Sequence, residues 1–186
     1  MPPGNRRKRI VTIIPATVAD LEDLSSLVNA AYRAHGRPAG WTSETELITG
    51  SRTNPASVRA MLERGVTILL LRLADYDSLC GCVAVEPHTS STWHISMLAI
   101  DPGRQASGLG SVLLTAAEKY ATARGGTLAH MTVIQARESL IAWYERHGYR
   151  RTGETEPFPY GDESVGIPLR ADLHFVVLEK SLPEPN

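Results

Sequence analysis

Apolar positions in the first third of the chain recur at helical spacing, and from Val66 onward they fall into short runs. Leu21, Leu24, Val28, Ala31 and Tyr32 lie three and four apart, behind a Thr17/Asp20 pair with the spacing of a capping box. Ile10 to Ile14 ahead of them reads as a strand. Gly36 to Gly40, with Pro38 inside, breaks the helix; a short helix is expected around Ser43–Thr49. Pro55 opens another, through Val58, Met61 and Leu62 to Gly65. Val66–Leu73 and Leu79–Glu86 are two strands across the polar, hairpin-length connection Ala74-Asp75-Tyr76-Asp77-Ser78. Thr92–Ile100 is the next strand. Its alternation predicts His94, Ser96 and Leu98 on one face and Trp93, Ile95 and Met97 on the other. A helix with Val112, Leu113, Ala116, Ala117 and Tyr120 on one face follows, ended by Gly125-Gly126. Leu128–Ile134 reads as a strand, Glu138–His147 as a helix stopped by Gly148, and Leu173–Leu178 as a last strand. The order β-α-α-β-β-β-α-β-α-β around an antiparallel centre predicts a mixed α/β sheet.

One junction carries chemistry. The strand ending Leu98-Ala99-Ile100 runs through Asp101-Pro102-Gly103-Arg104 into Gln105-Ala106-Ser107-Gly108-Leu109-Gly110-Ser111 and directly into an amphipathic helix. Backbone N–H groups without intrahelical partners then sit at the positive end of a helix dipole, a place suited to phosphate. Glycine lets the loop approach an oxygen with no Cβ in the way. No Lys follows a glycine in the Walker register, and the third glycine of a dinucleotide fingerprint is missing. A phosphorylated ligand of another kind is therefore expected.

Composition narrows the partners. At 186 residues, 42% hydrophobic and 21% charged, the chain suits one soluble domain, expected over residues 9–181 between tails at 1–8 and 182–186. A net charge of −1 gives no electrostatic case for nucleic acid; the Arg6-Arg7-Lys8-Arg9 cluster reads as a solvated terminus, with a targeting or anionic-partner role as the alternative. No apolar run approaches the ~18 residues of a membrane span, so no membrane partner is expected. Cys80 and Cys82, as alternate residues, are expected to share a strand face and to be poor disulfide partners, which points to a reducing, cytoplasmic location. With His88 and His94 they lack the spacing of a zinc site, and no metal is expected.

Gln105-x-x-Gly108-x-Gly110 between strand and helix resembles the pyrophosphate loop of the GNAT N-acetyltransferase superfamily, and Tyr144-Glu145-Arg146-His147-Gly148-Tyr149 resembles its second signature. The element order resembles the GNAT fold over nearly the whole length. The resemblance implies a mostly antiparallel sheet of six or seven strands flanked by about four helices. It further implies a central parallel pair, here Thr92–Ile100 and Leu128–Ile134, splayed to admit the pantetheine arm of acetyl-CoA.

Acetyl transfer to an amine needs an unprotonated nucleophile, donors for the developing oxyanion and a proton for the departing thiolate. By the resemblance, Tyr144 lies near the thioester sulfur and is the candidate acid; its phenol, ordinarily titrating near 10, is protonated at neutral pH. The base is left open among His94, Glu86 and ordered water. Backbone groups of Leu98 and Ile100 are the implied oxyanion and pantetheine donors. Gln105, Ala106, Ser107, Gly108, Leu109, Gly110 and Ser111 are the implied pyrophosphate contacts, with Arg104 adding charge. Where the family often carries an Asn seven residues before the tyrosine, this chain has Arg137. Either that cofactor contact is lost or the arginine reaches a phosphate or an acidic acceptor. Acceptor contacts are expected from Tyr32, Arg33, Trp41, Thr42, Glu44, Glu46 and Arg52 in the variable first region, and from Phe158 and Tyr160 before the last strand.

The expected activity is transfer of an acetyl group from acetyl-CoA to a primary amine of a small molecule or peptide, by direct attack in a ternary complex. Neither cysteine lies near the loop in sequence, which argues against a covalent thiol route. The alternatives are a silent acyl-CoA-binding sensor, or a phosphate- or nucleotide-binding protein outside the family. The oligomeric state, a homodimer among the options, is left open.

Overall fold

The computed structural model describes residues 11–33, 43–73, 78–105, 107–162 and 166–184. Ile10, the 36–40 break, the basic cluster, Trp41, Thr42, Ala106 and most of the 74–78 connection lie outside them.

Strands β1 (Val11–Pro15), β3 (Thr67–Leu73), β4 (Leu79–Pro87), β5 (Thr92–Ile100), β6 (Leu128–Ile134), β7 (Arg150–Pro157) and β9 (His174–Ser181) form one sheet, ordered β1-β3-β4-β5-β6-β9-β7. Every neighbouring pair is antiparallel except β5–β6. A two-stranded ribbon, β2 (Ile48–Thr49) with β8 (Ile167–Pro168), stands apart. The region expected to be a short helix at 43–49 is instead a turn leading into β2.

Helix α1 (Leu21–Arg33) follows the Thr17/Asp20 capping box through a 3₁₀ turn, and α2 (Pro55–Glu63) starts at Pro55 with Asn54 as its cap. Both bury their apolar stripes on one sheet face, against Ile68, Leu70, Cys82, Ala84, Met97 and Ala99. Helices α3 (Leu109–Thr122) and α4 (Glu138–Arg146) cover the other face, over Leu69, Leu71, Val83, Trp93, Ile95 and Met131. The buried stripe of α3 is Leu109, Leu113, Leu114, Ala117 and Ala121, rotated from the expected one, so that Val112 is exposed. Leu182, assigned to a tail, is buried in this core.

Two irregularities overturn the alternation read from the sequence. Between Cys82↔Ala99 and Ala84↔Ser96, β5 carries one residue more than β4, and Met97 takes φ 52°. A bulge of this kind inverts the parity of everything beyond it. Leu98 therefore joins Trp93 and Ile95 on the α3/α4 face, while Met97 moves to the face of His94 and Ser96. A second register shift, at Leu71/Arg72 against Gly81/Leu79, puts Cys80 and Cys82 on opposite faces instead of one.

Gly81 shows how tightly α3 is seated. A Cβ there would lie 2.6 Å from Ile100 Cδ1, 2.8 Å from Leu113 Cδ1 and 2.9 Å from the Ala99 carbonyl oxygen. Gly81→Ala is therefore expected to cost about 1–3 kcal/mol through overpacking. A chemical denaturation curve with an unchanged midpoint would contradict it.

Candidate active site

The geometry starts from where β5 and β6 part. They pair at Thr92↔Leu128, Trp93↔Ala129 and His94↔His130, and there the ladder stops. Beyond it β6 offers no partner to Leu98 or Ile100; side chains meet their carbonyls instead. The Tyr32 hydroxyl donates to the Leu98 carbonyl at 3.2 Å, and Gln105 Nε2 to that of Ile100 at 3.4 Å. This divergence is the splayed parallel pair, and the bulge at Met97 sits inside it.

Past Ile100 the chain turns through Asp101, whose carboxylate accepts from the Gly103 N–H at 2.9 Å. Ser107 Oγ donates to the Arg104 carbonyl at 2.5 Å. Gly108 then takes φ 79° at the N-cap of α3, with no side chain capping the helix. An L-residue is strained at such a φ, and a side-chain cap would compete for the N–H groups an anion needs. A cavity of about 470 Å³ opens here, lined by Ile100, Arg104, Gln105, Ser107, Gly108, Leu109, Gly110, Ser111, Ser139, Leu140, Trp143 and Arg146. It gathers every described residue of the loop that the sequence singled out, together with two arginines and no acidic side chain. Such a donor set fits a pyrophosphate. Ser139, Leu140, Trp143 and Arg146 are additions, and their signal is the three- and four-residue spacing along the inner face of α4.

Tyr144 is buried on that helix, its ring edge-on to Trp143 and to Tyr149. No hydrogen bond joins its hydroxyl to another described residue. Burial raises its pKa well above the ordinary phenol value, Tyr32 adds to the rise, and the Arg137 charge partly offsets it. Tyr149, between α4 and β7, donates to Glu118 at 3.0 Å, and Lys180 grips the same carboxylate at 2.8 Å. That network ties the end of α4 to α3 and β9.

On the opposite sheet face His94 stands at the last rung of the parallel pair, its Nδ1 3.7 Å from Glu86 Oε1. His130 lies beside it with ring centroids 5.7 Å apart, and His88 stacks on His130 at 5.0 Å. His130 in turn reaches Glu179 at 3.4 Å. Desolvation, then the neighbouring His130, depresses the His94 pKa; Glu86 opposes this without cancelling it. Strand register alone brings His130 to His94. Among the described residues no group of three or more His, Cys, Asp or Glu side chains is arranged to hold a metal ion.

Arg137 does not line the cavity. It is buried with its Nη1 3.8 Å from Glu44, whose other oxygen takes a 2.8 Å ion pair from Arg33. Arg33, itself buried, also donates to the Gly50 carbonyl at 2.9 Å. Glu44 and Arg33, expected to face an acceptor, are thus engaged with each other and with Arg137. Arg52 lies over the Tyr32 ring at 5.5 Å, so Tyr32, Arg33, Glu44, Arg52 and Arg137 form one cluster. Glu46 is exposed on the turn outside it. Phe158 is core, stacked on Phe175, and Tyr160 spans the preceding loop by donating to the Arg170 carbonyl and accepting from the Leu173 N–H.

The cysteines lie beside β5 and line no part of the loop cavity: the Cys80 carbonyl accepts from the Asp101 N–H, and the Cys82 thiol lies 3.7 Å from the Met97 carbonyl. Both are buried, and burial pushes the Cys82 thiol up to about 12, leaving it inert at neutral pH.

No helix among the described residues is long and apolar enough to cross a membrane. No curated protein is significantly similar to the chain in sequence. Solved structures share its fold. The ribosomal-protein-alanine N-acetyltransferase of Brucella melitensis superposes with a TM-score of 0.66 at 19% identity, over 92% of this chain and 99% of that one. Ard1 of Thermoplasma volcanium gives 0.67 at 15%, over 94% and 99%. The yncA protein of Salmonella typhimurium, solved with its cofactor acetyl-CoA, gives 0.62 at 20%, over 94% and 95%. The sequence model of the acetyltransferase (GNAT) family, enzymes that use acetyl-CoA, matches residues 28–149. That span takes in both divergent strands, the glycine loop and Tyr144, and the chain belongs to the GNAT family of acetyltransferases.

Proposed function

We propose that the chain is an N-acetyltransferase that binds acetyl-CoA along the split between β5 and β6 and acetylates a primary amine directly, with no acyl-enzyme. The observation carrying this reading is the coincidence of three things at one split. These are a helix start with no side-chain cap that lines a cavity, strand edges without ladder partners, and a buried Tyr144 whose pKa burial raises. Acetyl-CoA supplies an activated acyl carbon and a thiolate leaving group. Gly108 to Ser111, Arg104 and Arg146 bind the pyrophosphate, and the backbone of Leu98 and Ile100 lies along the pantetheine arm. Tyr144 holds a proton toward the departing sulfur. His94, kept neutral by its surroundings and flanked by Glu86, accepts the proton of the incoming ammonium. Cys82 offers no thiolate for a covalent route.

Thiol release from acetyl-CoA against a panel of amino acids, polyamines, aminoglycosides and peptides tests this reading. Amine-dependent release supports it. CoA binding without release from any amine would favour a silent acyl-CoA sensor, and the absence of both would overturn the donor assignment.

The base makes its own prediction. Neutral imidazole is the working form, so activity falls as pH drops through the His94 pKa, which lies below the ordinary imidazole value of about 6.5. The wild-type kcat/KM profile is expected to show an acid limb there, besides the titration of the acceptor. His94→Gln is expected to lose about 10–100-fold in kcat/KM and to lack that limb. An unchanged limb would remove His94 from the role.

A further inference from the structure

His147, at the C-terminus of α4, is a titratable group for which the reaction above has no use, yet its partners are specific. Its Nδ1 lies 2.8 Å from the Trp143 carbonyl oxygen, and its Nε2 lies 2.8 Å from Ser111 Oγ. A carbonyl only accepts, so Nδ1 carries a proton. The direction of the second bond then depends on charge. In the neutral ring Nε2 is a lone pair, and Ser111 spends its single proton on it. Ser111, which lines the loop cavity at the third position of α3, then presents only lone pairs to an anion. In the imidazolium Nε2–H donates instead. The hydroxyl proton of Ser111 is released to swing into the cavity, and a positive charge stands one hydroxyl behind it.

We propose that Ser111 and His147 form a proton-linked phosphate contact: binding of the CoA pyrophosphate at the start of α3 is accompanied by protonation of His147. The inference rests on the CoA reading above and adds a residue and a coupling to it. An anion accepts a charge-assisted bond only from the protonated pair, so proton and ligand each strengthen the binding of the other by the same factor.

The surroundings pull both ways: the C-terminal end of α4 and the Trp143 ring favour a cation, and two arginines oppose it. Arg104, from the turn before α3, and Arg146, beside His147 on α4, are the charged groups lining the cavity. Both oppose a further positive charge until an anion lies among them. Glu145, the nearest carboxylate along α4, is drawn away to Arg151 at 3.2 Å. From α4 itself the Trp143 ring packs on the imidazole at a centroid distance of 4.0 Å. A phosphate bound among Arg104, Arg146 and Ser111 adds the one strong negative charge to this set and draws a proton onto the ring.

Calorimetry of CoA binding to the full chain, in two buffers of different ionisation enthalpy at about pH 7, reads the protons taken up. CoA's own phosphates contribute equally to any variant, so the difference between wild type and His147→Gln isolates the histidine. Gln keeps a polar group within reach of Ser111 and does not titrate. The wild type is expected to take up roughly half a proton more than the variant. Its affinity is expected to fall about fivefold more steeply between about pH 6 and about pH 8, the range in which imidazoles change charge. Equal uptake by the two proteins would overturn the coupling and leave the CoA reading standing; no CoA binding to wild type would overturn both. Should the variant not fold, the His147 Hε1 resonance of wild type titrated with and without CoA decides the same point. Its midpoint is expected to rise on binding, and an unmoved midpoint refutes the proposal.

Discussion

Tyr144→Phe is expected to lower kcat by about two to three orders of magnitude while CoA affinity stays within about twofold. The ring is buried and packed edge-on to Trp143 and Tyr149, so Phe, which differs only by the hydroxyl, leaves no cavity; stability should change by less than about 1 kcal/mol. What is lost is a proton for which no described residue is a partner. Burial, reinforced by Tyr32, keeps the phenol protonated far above neutrality. A thiol ordinarily titrates near 8.5, so complete transfer from this phenol to a thiolate would run uphill. The role we propose for it is donation of a hydrogen bond to sulfur as negative charge develops, so no basic limb of the pH profile should belong to Tyr144. Equal losses in kcat and CoA affinity would make Tyr144 a packing residue. An unchanged kcat would move the acid elsewhere.

How much of this could be read from residue order depends on the element. The helices announced themselves by apolar spacing, by the Thr17/Asp20 capping box and by Pro55 at a helix start, and the glycine loop by its place between strand and helix. Strand β7 did not: Arg150 to Pro157 is exposed throughout, an edge strand held by backbone pairing with β9, and carries no apolar alternation to detect. The two bulges were equally silent. A positive φ normally advertises itself through glycine, but here it falls on Met97, so Leu98 and Met97 exchanged faces without a mark in the sequence. Arg137 and Glu44, or His147 and Ser111, meet only when distant segments pack, and no local pattern encodes such a pair. The loop was therefore legible as a glycine-rich helix start, while the side chains that pack around it were not.

Gly108→Val is expected to weaken CoA binding by about 100-fold with a much smaller effect on folding. Among the described residues, its two chain neighbours apart, no atom lies within 4 Å of where a Cβ would stand, so the substitution meets no clash with them. Its cost has two parts. The backbone there is at φ 79°, and a β-branched residue resists that region by about 1–3 kcal/mol. The loop can shed this strain by rotating Gly108 to negative φ, and doing so turns the N–H groups of Leu109, Gly110 and Ser111 away from a common focus. If the backbone instead holds, the branched side chain occupies space at the helix start into which the pyrophosphate must come. Both outcomes remove donors from the anion, and either accounts for the loss. Gly108→Ala separates them: it carries most of the φ penalty with little bulk, and an affinity loss of about tenfold is expected. Thermal unfolding of both variants should stay within a few degrees of wild type, because α3 remains anchored by Leu109, Leu113 and Ala117 in the core. Unchanged CoA affinity in Gly108→Val would mean that the pyrophosphate lies elsewhere.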